Sequence, residues 1–112
     1  MTRGEIVIVF DCGATNIRVI AIDSRGNIVA AESSPNNPVP DPFYPQYRIW
    51  DVNDIWFRMC QASEAVINRI NRNDIAGVTV TTFGVDGTLF DKAGNMLYPV
   101  ISWQCERTVP VM

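Results

Sequence analysis

The sequence contains no histidine and only three cysteines, and this excludes several kinds of site. The cysteines, Cys12, Cys60 and Cys105, are far apart in the chain. Zinc sites and disulfide frameworks need closely spaced Cys and His residues or an even set of cysteines. We therefore expect neither, and we predict reduced, mostly buried thiols of the kind found in cytosolic proteins.

Clustered positive charge and long apolar runs are also missing. The chain has nine Lys and Arg against twelve Asp and Glu, a net charge of -3. Nucleic acids and anionic membranes attract clustered basic residues, so neither is expected as a partner. The apolar run at residues 6–10 is too short to cross a bilayer, and residues 1–5 do not resemble a secretory signal. We predict a cytoplasmic location.

The composition that remains is sufficient for one packed domain. Of the 112 residues, 47% are hydrophobic and 19% are charged, which permits a core and argues against disorder. The length corresponds to one domain at most. Residues 106–108 read as the approach to another element, so we expect residues 1–112 to be a piece of a longer protein.

The chain is organised around a strand–turn–strand pattern at residues 6–23. A β-branched run reaches Asp11, crosses a small polar turn and re-enters a second β-branched run. The turn consists of Gly13, Ala14, Thr15 and Asn16. Small residues let backbone N–H groups approach an anion, and the polar side chains add donors, so this turn can hold phosphate. Asp11 is placed to hold Mg²⁺ through water, and Arg18 is placed to neutralise residual negative charge. The alternative is an ordinary polar hairpin turn.

The pattern further along the chain predicts a mixed α/β fold. Residues 28–33 form a third strand, which makes an antiparallel meander where a dinucleotide-binding fold would have a helix. Residues 34–45 contain five prolines and are expected to be irregular, without regular hydrogen bonding. Phe43, Tyr44 and Tyr47 would fasten this segment to the surface. The alternative is a proline-rich ligand for an adaptor domain.

An amphipathic helix and a fourth strand follow. Apolar residues recur at three- and four-residue spacing over residues 52–71, with Asp51 as the N-cap. Residues 75–82 are apolar enough to lie inside the sheet beside the first strand. Residues 92–95 read as the turn of a β-hairpin between flanking strands.

A second acidic turn, at residues 83–87, brings Asp86 to the end of the fourth strand. Asp11 and Asp86 would then lie near one edge of the sheet. Asp86 could accept hydrogen bonds from sugar hydroxyls, while Trp103 offers a flat apolar face to sugar C–H groups. The alternative is that Asp86 stabilises its own turn and Trp103 belongs to the core.

Three segments in series resemble the N-terminal part of the FGGY carbohydrate kinases: residues 11–18, 80–87 and 98–108. This resemblance implies an actin-like ATPase (ribonuclease H-like) fold, with a mixed sheet that begins with a three-stranded antiparallel meander. Residues 1–112 would be the N-terminal part of domain I of such a kinase. The resemblance also implies phosphoryl transfer from ATP, with Mg²⁺, to a ketose sugar.

The resemblance assigns roles to individual positions. Gly13 to Asn16 would cradle the β- and γ-phosphates, Arg18 would support that loop, and Asp11 would serve the Mg²⁺. The sugar site would be lined by Gly84, Asp86 and Trp103. Other branches of the family carry Arg-Glu or Met-His near Gly84 and Val85, whereas the rhamnulokinase branch shares the Gly-Val-Asp form. The particular sugar therefore stays open at this point.

The family's general base lies in a segment far downstream of residue 112, so no catalytic residue is expected here. We therefore predict that the 112-residue chain alone does not phosphorylate sugars. A non-catalytic actin-like module that senses sugar or binds ATP is an alternative from another class, and a small self-contained binding domain is a third. A strand edge left unpaired could drive assembly into a homo-oligomer.

Overall fold

The computed structural model describes residues 5–107, which form a main sheet, a smaller sheet and one long helix. The main sheet has the strand order β3-β2-β1-β6 and the smaller one the order β4-β5-β7. The strands and the helix are β1 (Ile6–Cys12), β2 (Asn16–Ile22), β3 (Ile28–Pro35), β4 (Val39–Pro40), β5 (Arg48–Trp50), α1 (Val52–Ile67), β6 (Ile75–Thr81) and β7 (Val100–Ile101).

The predicted antiparallel meander is confirmed. β1 pairs with β2, and β2 pairs with β3, both in antiparallel register. The turn between β2 and β3 is stabilised by Asp23, whose carboxylate accepts the N–H groups of Arg25 and Asn27, both at 2.9 Å. Gly26 has a φ of 83°, a conformation that disfavours residues with a Cβ.

The fourth predicted strand lies beside the first, as expected, but it is not inside the sheet. β6 runs parallel to β1, with Val9 opposite Thr79 and Asp11 opposite Thr81. Its other edge has no partner strand within residues 5–107, and Val78 and Val80 are exposed. The prediction of an interior strand is wrong for this part of the chain, because an apolar β-branched sequence does not by itself reveal how many neighbours the strand has.

Helix α1 begins at the predicted residue and packs on the meander. The Asp51 carboxylate accepts the Asp54 N–H at 3.1 Å, which caps the first turn. The helix packs against β2 and β3, and Met59 and Val66 are its buried contributions to the core. The α-helix ends at Ile67, four residues earlier than predicted, because the N–H groups of Arg69 and Ile70 bond three residues back and tighten the chain into turns.

The smaller sheet corrects the prediction for the proline-rich segment. β3 continues through Pro35, and Val39–Pro40 pairs with β5, so part of this segment has regular hydrogen bonding. A proline is tolerated there because β4 is an edge strand, where one N–H can be missing.

The predicted hairpin at residues 88–98 is correct only at its turn, since a single bridge, Phe90 to Met96, replaces the flanking strands.

Asp41 fastens the proline-rich segment to the smaller sheet. Its buried carboxylate accepts the Phe43 N–H at 2.7 Å, the Tyr98 hydroxyl at 2.5 Å and an Arg107 N–H at 2.8 Å. The Arg107 guanidinium also lies 4.5 Å from the centre of the Tyr47 ring. Burial raises the pKa of the Asp41 carboxyl, but these hydrogen bonds outweigh burial and hold the pKa well below its ordinary value of 3.8.

This cluster predicts an acid-sensitive contribution to stability. The pKa of Asp41 is lower in the folded chain than in the unfolded chain, so its contribution is complete above about pH 4 and is lost as the pH falls further. We expect the free energy of unfolding of Asp41→Asn to fall less steeply than that of the parent between about pH 5 and pH 2. Urea unfolding at a series of pH values measures both slopes. Parallel slopes would contradict this role of Asp41.

Two further findings concern the predictions from composition. Cys12 and Cys105 are buried and Cys60 is exposed, and all three are free thiols. Burial raises the pKa of the Cys12 thiol.

In the part of the chain that the structure describes, no helix is long and apolar enough to span a membrane.

Candidate functional site

The C-terminal ends of β1 and β6 meet at one edge of the main sheet. Because the two strands are parallel, Asp11 lies opposite Thr81, and the Thr82 hydroxyl donates to the Cys12 carbonyl at 3.3 Å. The chain then continues from Thr82 into the turn that carries Asp86. Both acidic turns therefore start from the same edge of the sheet.

The turn between β1 and β2 is tight. The Gly13 N–H donates to the Asn16 carbonyl at 2.9 Å, and a Cβ on Gly13 would lie only 3.0 Å from that oxygen. A side chain at this position would require the Asn16 carbonyl to shift by a few tenths of an ångström. Among the described residues, the N–H groups of Ala14 and Thr15 have no hydrogen-bond acceptor, so they are available to an anion.

Asn36 lies beneath this turn and was not predicted from the sequence. Its side-chain amide donates to the Gly13 carbonyl at 2.9 Å, and its backbone N–H donates to the Thr15 carbonyl at 2.8 Å. Arg58 of helix α1 donates in turn to the Asn36 side-chain oxygen at 3.1 Å. Nothing in the proline-rich sequence around Asn36 signals this contact, because it joins residues that are 23 positions apart.

Asp11 and Arg18 form a cross-strand ion pair at the base of the turn. Two N–H groups of Arg18 donate to one carboxylate oxygen of Asp11, at 3.1 and 2.9 Å. The pair is partly exposed, so it adds at most about 1 kcal/mol to stability. Its main effect is to orient Asp11, whose other oxygen, Oδ1, has no hydrogen bond to any described residue.

The free oxygen of Asp11 fits a magnesium ion. Mg²⁺ in phosphate-binding proteins is commonly held by one or two carboxylates, with phosphate oxygens and waters completing the coordination. Within residues 5–107 there is no group of three or more metal-ligating side chains.

Asp86 contacts Trp50, a residue that sequence reasoning missed. The Trp50 indole N–H donates to the Asp86 carboxylate at 2.5 Å, and the indole stacks on Phe83 with ring centres 4.5 Å apart. Trp50 directly precedes the N-cap of α1, where an apolar residue often packs on the fourth helical residue, here Ile55. This apolar pair around the N-cap was the sequence signal that could have predicted a packed position for Trp50. The Asp86 carboxylate therefore has a partner outside its own turn, and its sugar-binding role stays a prediction.

A cavity of about 290 Å³ lies between the end of β1 and the turn that carries Asp86. Its lining includes Cys12, Trp50, Phe83 and Asp86. The wall is thus mainly apolar, with one carboxylate, which is a composition suited to a small polar molecule with apolar faces.

Trp103 does not line this cavity in the described structure. Its side chain is 55% exposed, on a turn in which Ser102 accepts the N–H groups of Gln104 and Cys105. The alternative of a core residue is therefore wrong. At Gly84 an added Cβ would meet no atom within 4 Å, so packing does not explain a glycine there. The sugar-binding roles of Trp103 and Gly84 stay predictions.

Comparison with known families identifies the class of protein. Residues 6–112 match the N-terminal domain of the FGGY family of carbohydrate kinases. The chain belongs to this family, in agreement with the resemblance drawn from residues 11–18, 80–87 and 98–108.

The similar curated relatives include two L-fuculokinases. That of Haemophilus influenzae is 45% identical over 112 residues, covering 96% of this chain and 24% of the relative. That of Escherichia coli K12 is 44% identical over 110 residues, covering 98% and 23%. The chain thus spans about a quarter of the length of these relatives. An apulose kinase of Pectobacterium atrosepticum is 30% identical, covering 91% and 20%.

Solved structures of sugar kinases share the fold. A gluconate kinase from Lactobacillus acidophilus matches with a TM-score of 0.77 at 17% identity, covering 95% of this chain and 21% of that one. A xylulose kinase from Rhodospirillum rubrum matches with a TM-score of 0.75 at 24% identity, covering 91% and 21%. The mixed sheet described above is therefore part of an actin-like ATPase (ribonuclease H-like) domain, as predicted.

Proposed function

We propose that this chain forms the N-terminal part of domain I of a cytoplasmic, ATP-dependent kinase that phosphorylates L-fuculose at its 1-hydroxyl. The family and the 42–45% identity to L-fuculokinases support this substrate over other sugars. The Gly84-Val85-Asp86 form is also that of the rhamnulokinase branch, so L-rhamnulose is the nearest competing substrate.

The single observation that carries the proposal is the shared sheet edge. Phosphoryl transfer depends mainly on holding the donor and the acceptor hydroxyl together and on neutralising charge. The turn that follows β1 and the turn that follows β6 begin side by side, joined by the hydrogen bond from Thr82 to Cys12. A phosphate group at the first turn and a sugar at the second would thus be neighbours.

In this proposal the turn between β1 and β2 binds the β- and γ-phosphates of ATP. The free N–H groups of Ala14 and Thr15 donate to phosphate oxygens, with the side chains of Thr15 and Asn16 beside them. Asp11 holds Mg²⁺, which neutralises charge on the phosphates, and Arg18 keeps the Asp11 carboxylate in place.

The sugar in this proposal lies on the side of Asp86. Its carboxylate accepts hydrogen bonds from sugar hydroxyls, and the Trp50 N–H holds that carboxylate in place. Gly84 leaves room for the sugar. Trp103, which is exposed on its turn, packs against the C–H groups of the sugar. The general base comes from a part of the kinase downstream of residue 112.

The test compares sugars and chain lengths. The longer protein that carries this sequence is assayed for ATP-dependent phosphorylation of L-fuculose, L-rhamnulose, D-xylulose and glycerol, with the 112-residue chain in parallel. We expect kcat/KM to be highest for L-fuculose and the 112-residue chain to be inactive. Preference for another sugar would overturn the substrate, and turnover by the short chain would overturn the downstream base.

A further inference from the structure

Asn36 is a buried polar residue whose hydrogen bonds are all directed at the turn between β1 and β2 and at Arg58. It is 2% exposed, yet it lies in a connection between two strands rather than in either sheet. Its side-chain amide and its backbone N–H hold the carbonyl oxygens of Gly13 and Thr15. Burying an amide costs free energy unless its hydrogen bonds are made, so this placement requires the turn to keep its shape.

Holding these two carbonyls determines where the turn's N–H groups point. All peptide bonds in the described chain are trans, so each carbonyl and the N–H of the following residue point in opposite directions. With the Gly13 and Thr15 oxygens drawn towards Asn36, the N–H groups of Ala14 and Asn16 are directed away from it. The Ala14 N–H has no acceptor among the described residues, and Thr15 and Asn16 are exposed.

Arg58 decides which way the Asn36 amide faces. It donates to the Asn36 side-chain oxygen at 3.1 Å and to the Pro35 carbonyl at 2.5 Å, while Asp54 holds the guanidinium at 2.9 Å. Because Arg58 has only donors, the amide must turn its oxygen to Arg58 and its NH₂ group to Gly13. Helix α1 thereby sets the orientation of a group that lies under the turn.

We propose that Asn36, oriented by Arg58, is a positioning residue that presents the Ala14 N–H of this turn to the terminal phosphates of the nucleotide. This rests on the proposed function, since it assumes that the turn binds phosphate. Asn36 does not itself contact the nucleotide in this arrangement. Helix α1 thus supports the phosphate site as well as the core.

Asn36→Asp is the sharpest test, because the change keeps the size of the side chain and an oxygen for Arg58 but removes the donor to Gly13. In the longer kinase we expect the KM for ATP to rise about tenfold, the value for one lost hydrogen bond, with the KM for sugar unchanged. The matched control is Asn37→Asp, which makes the same charge change at the exposed neighbouring residue. The control is expected to leave both constants at the parent values.

Two outcomes would overturn the proposal. One is an ATP KM for Asn36→Asp equal to that of Asn37→Asp, and the other is an equal rise in both KM values, which a general distortion of the folded protein would give. If Asn36→Asp does not fold, Arg58→Lys takes its place, since it keeps the charge but loses the fork that holds Asn36. We expect about a threefold rise in ATP KM for that variant.

A binding measurement separates this proposal from the proposed function. Calorimetric titration of the longer protein with ATP and Mg²⁺ needs no sugar turnover. If the parent phosphorylates none of the four sugars but binds ATP about tenfold more tightly than Asn36→Asp, the sugar-kinase assignment fails and the positioning role stands. If the two proteins bind ATP equally, the positioning role fails whatever the sugar.

Discussion

Asp11→Asn is expected to lower the kcat of the longer kinase by about a hundredfold or more. The substitution keeps the shape of the side chain and one oxygen but removes the negative charge that would hold Mg²⁺ beside the phosphates. Losing one preorganised electrostatic contact at the reacting group costs a factor of about 10² to 10³ in other enzymes. The structure supports Asp11 as this contact, because Arg18 occupies only one of its two carboxylate oxygens.

The measurement is kcat at saturating ATP over a series of Mg²⁺ concentrations. Asp91→Asn is the matched control, because Asp91 also lies beside a turn but stabilises that exposed turn through backbone N–H groups that an asparagine can still engage. We expect the control to keep the parent kcat. A kcat for Asp11→Asn within a few-fold of the parent would remove Asp11 from the metal site.

Trp50→Ala is expected to destabilise the 112-residue chain by about 3–5 kcal/mol, the range for removing a buried aromatic side chain. Trp50 is 1% exposed, belongs to the central strand of the smaller sheet and stacks on Phe83, which packs against the main core. It therefore joins the two sheets. A loss of this size is a large part of the 5–15 kcal/mol that typically stabilises a domain.

Two further variants separate the contributions of Trp50. Trp50→Phe keeps a ring against Phe83 but loses the N–H that donates to Asp86, so we expect a smaller loss of about 1–2 kcal/mol. Trp56→Ala makes the Trp-to-Ala change at a residue that is 69% exposed, and a change within about 0.5 kcal/mol is expected. Equal losses for Trp50→Ala and Trp56→Ala in chemical unfolding would show that Trp50 does not join the sheets.

The sequence was most informative where the signal is local. The β-branched strands of the meander, the spacing of apolar residues in α1 and the Asp51 cap each depend on residues within a few positions of one another, and each is confirmed. The family followed from three short segments, which the match over residues 6–112 confirms.

The smaller sheet could not be predicted because its strands are short and one of its pairings joins distant residues. β4 and β7 have two residues each, too few to show any periodicity, and β7 pairs with β5 across residues 51–99. Asp41, which holds this region together, sits between prolines in a segment that otherwise reads as irregular. Buried charge of this kind is visible only when its partners, Tyr98 and Arg107, are brought to it.

The sequence predicted the acidic and glycine residues of the candidate site. It did not predict the residues that hold them in place. Asp11, Gly13 and Asp86 stand out because they interrupt or follow apolar runs. Asn36, Arg58 and Trp50 do not, since their importance comes from contacts that the folded chain makes. Trp103 shows the opposite case, because the motif predicts a wall of the sugar site while the described structure leaves the residue on an exposed turn.

The parallel pairing of β1 with β6 also has a consequence for how the protein is made. The meander needs only the first 35 residues, whereas β1 must wait for β6, which follows helix α1. During synthesis on the ribosome, the three early strands therefore emerge with one β1 edge uncovered until the later strand arrives. Pairing of distant strands is slow, so this interval is when a nascent chain is most exposed to aggregation and to chaperones.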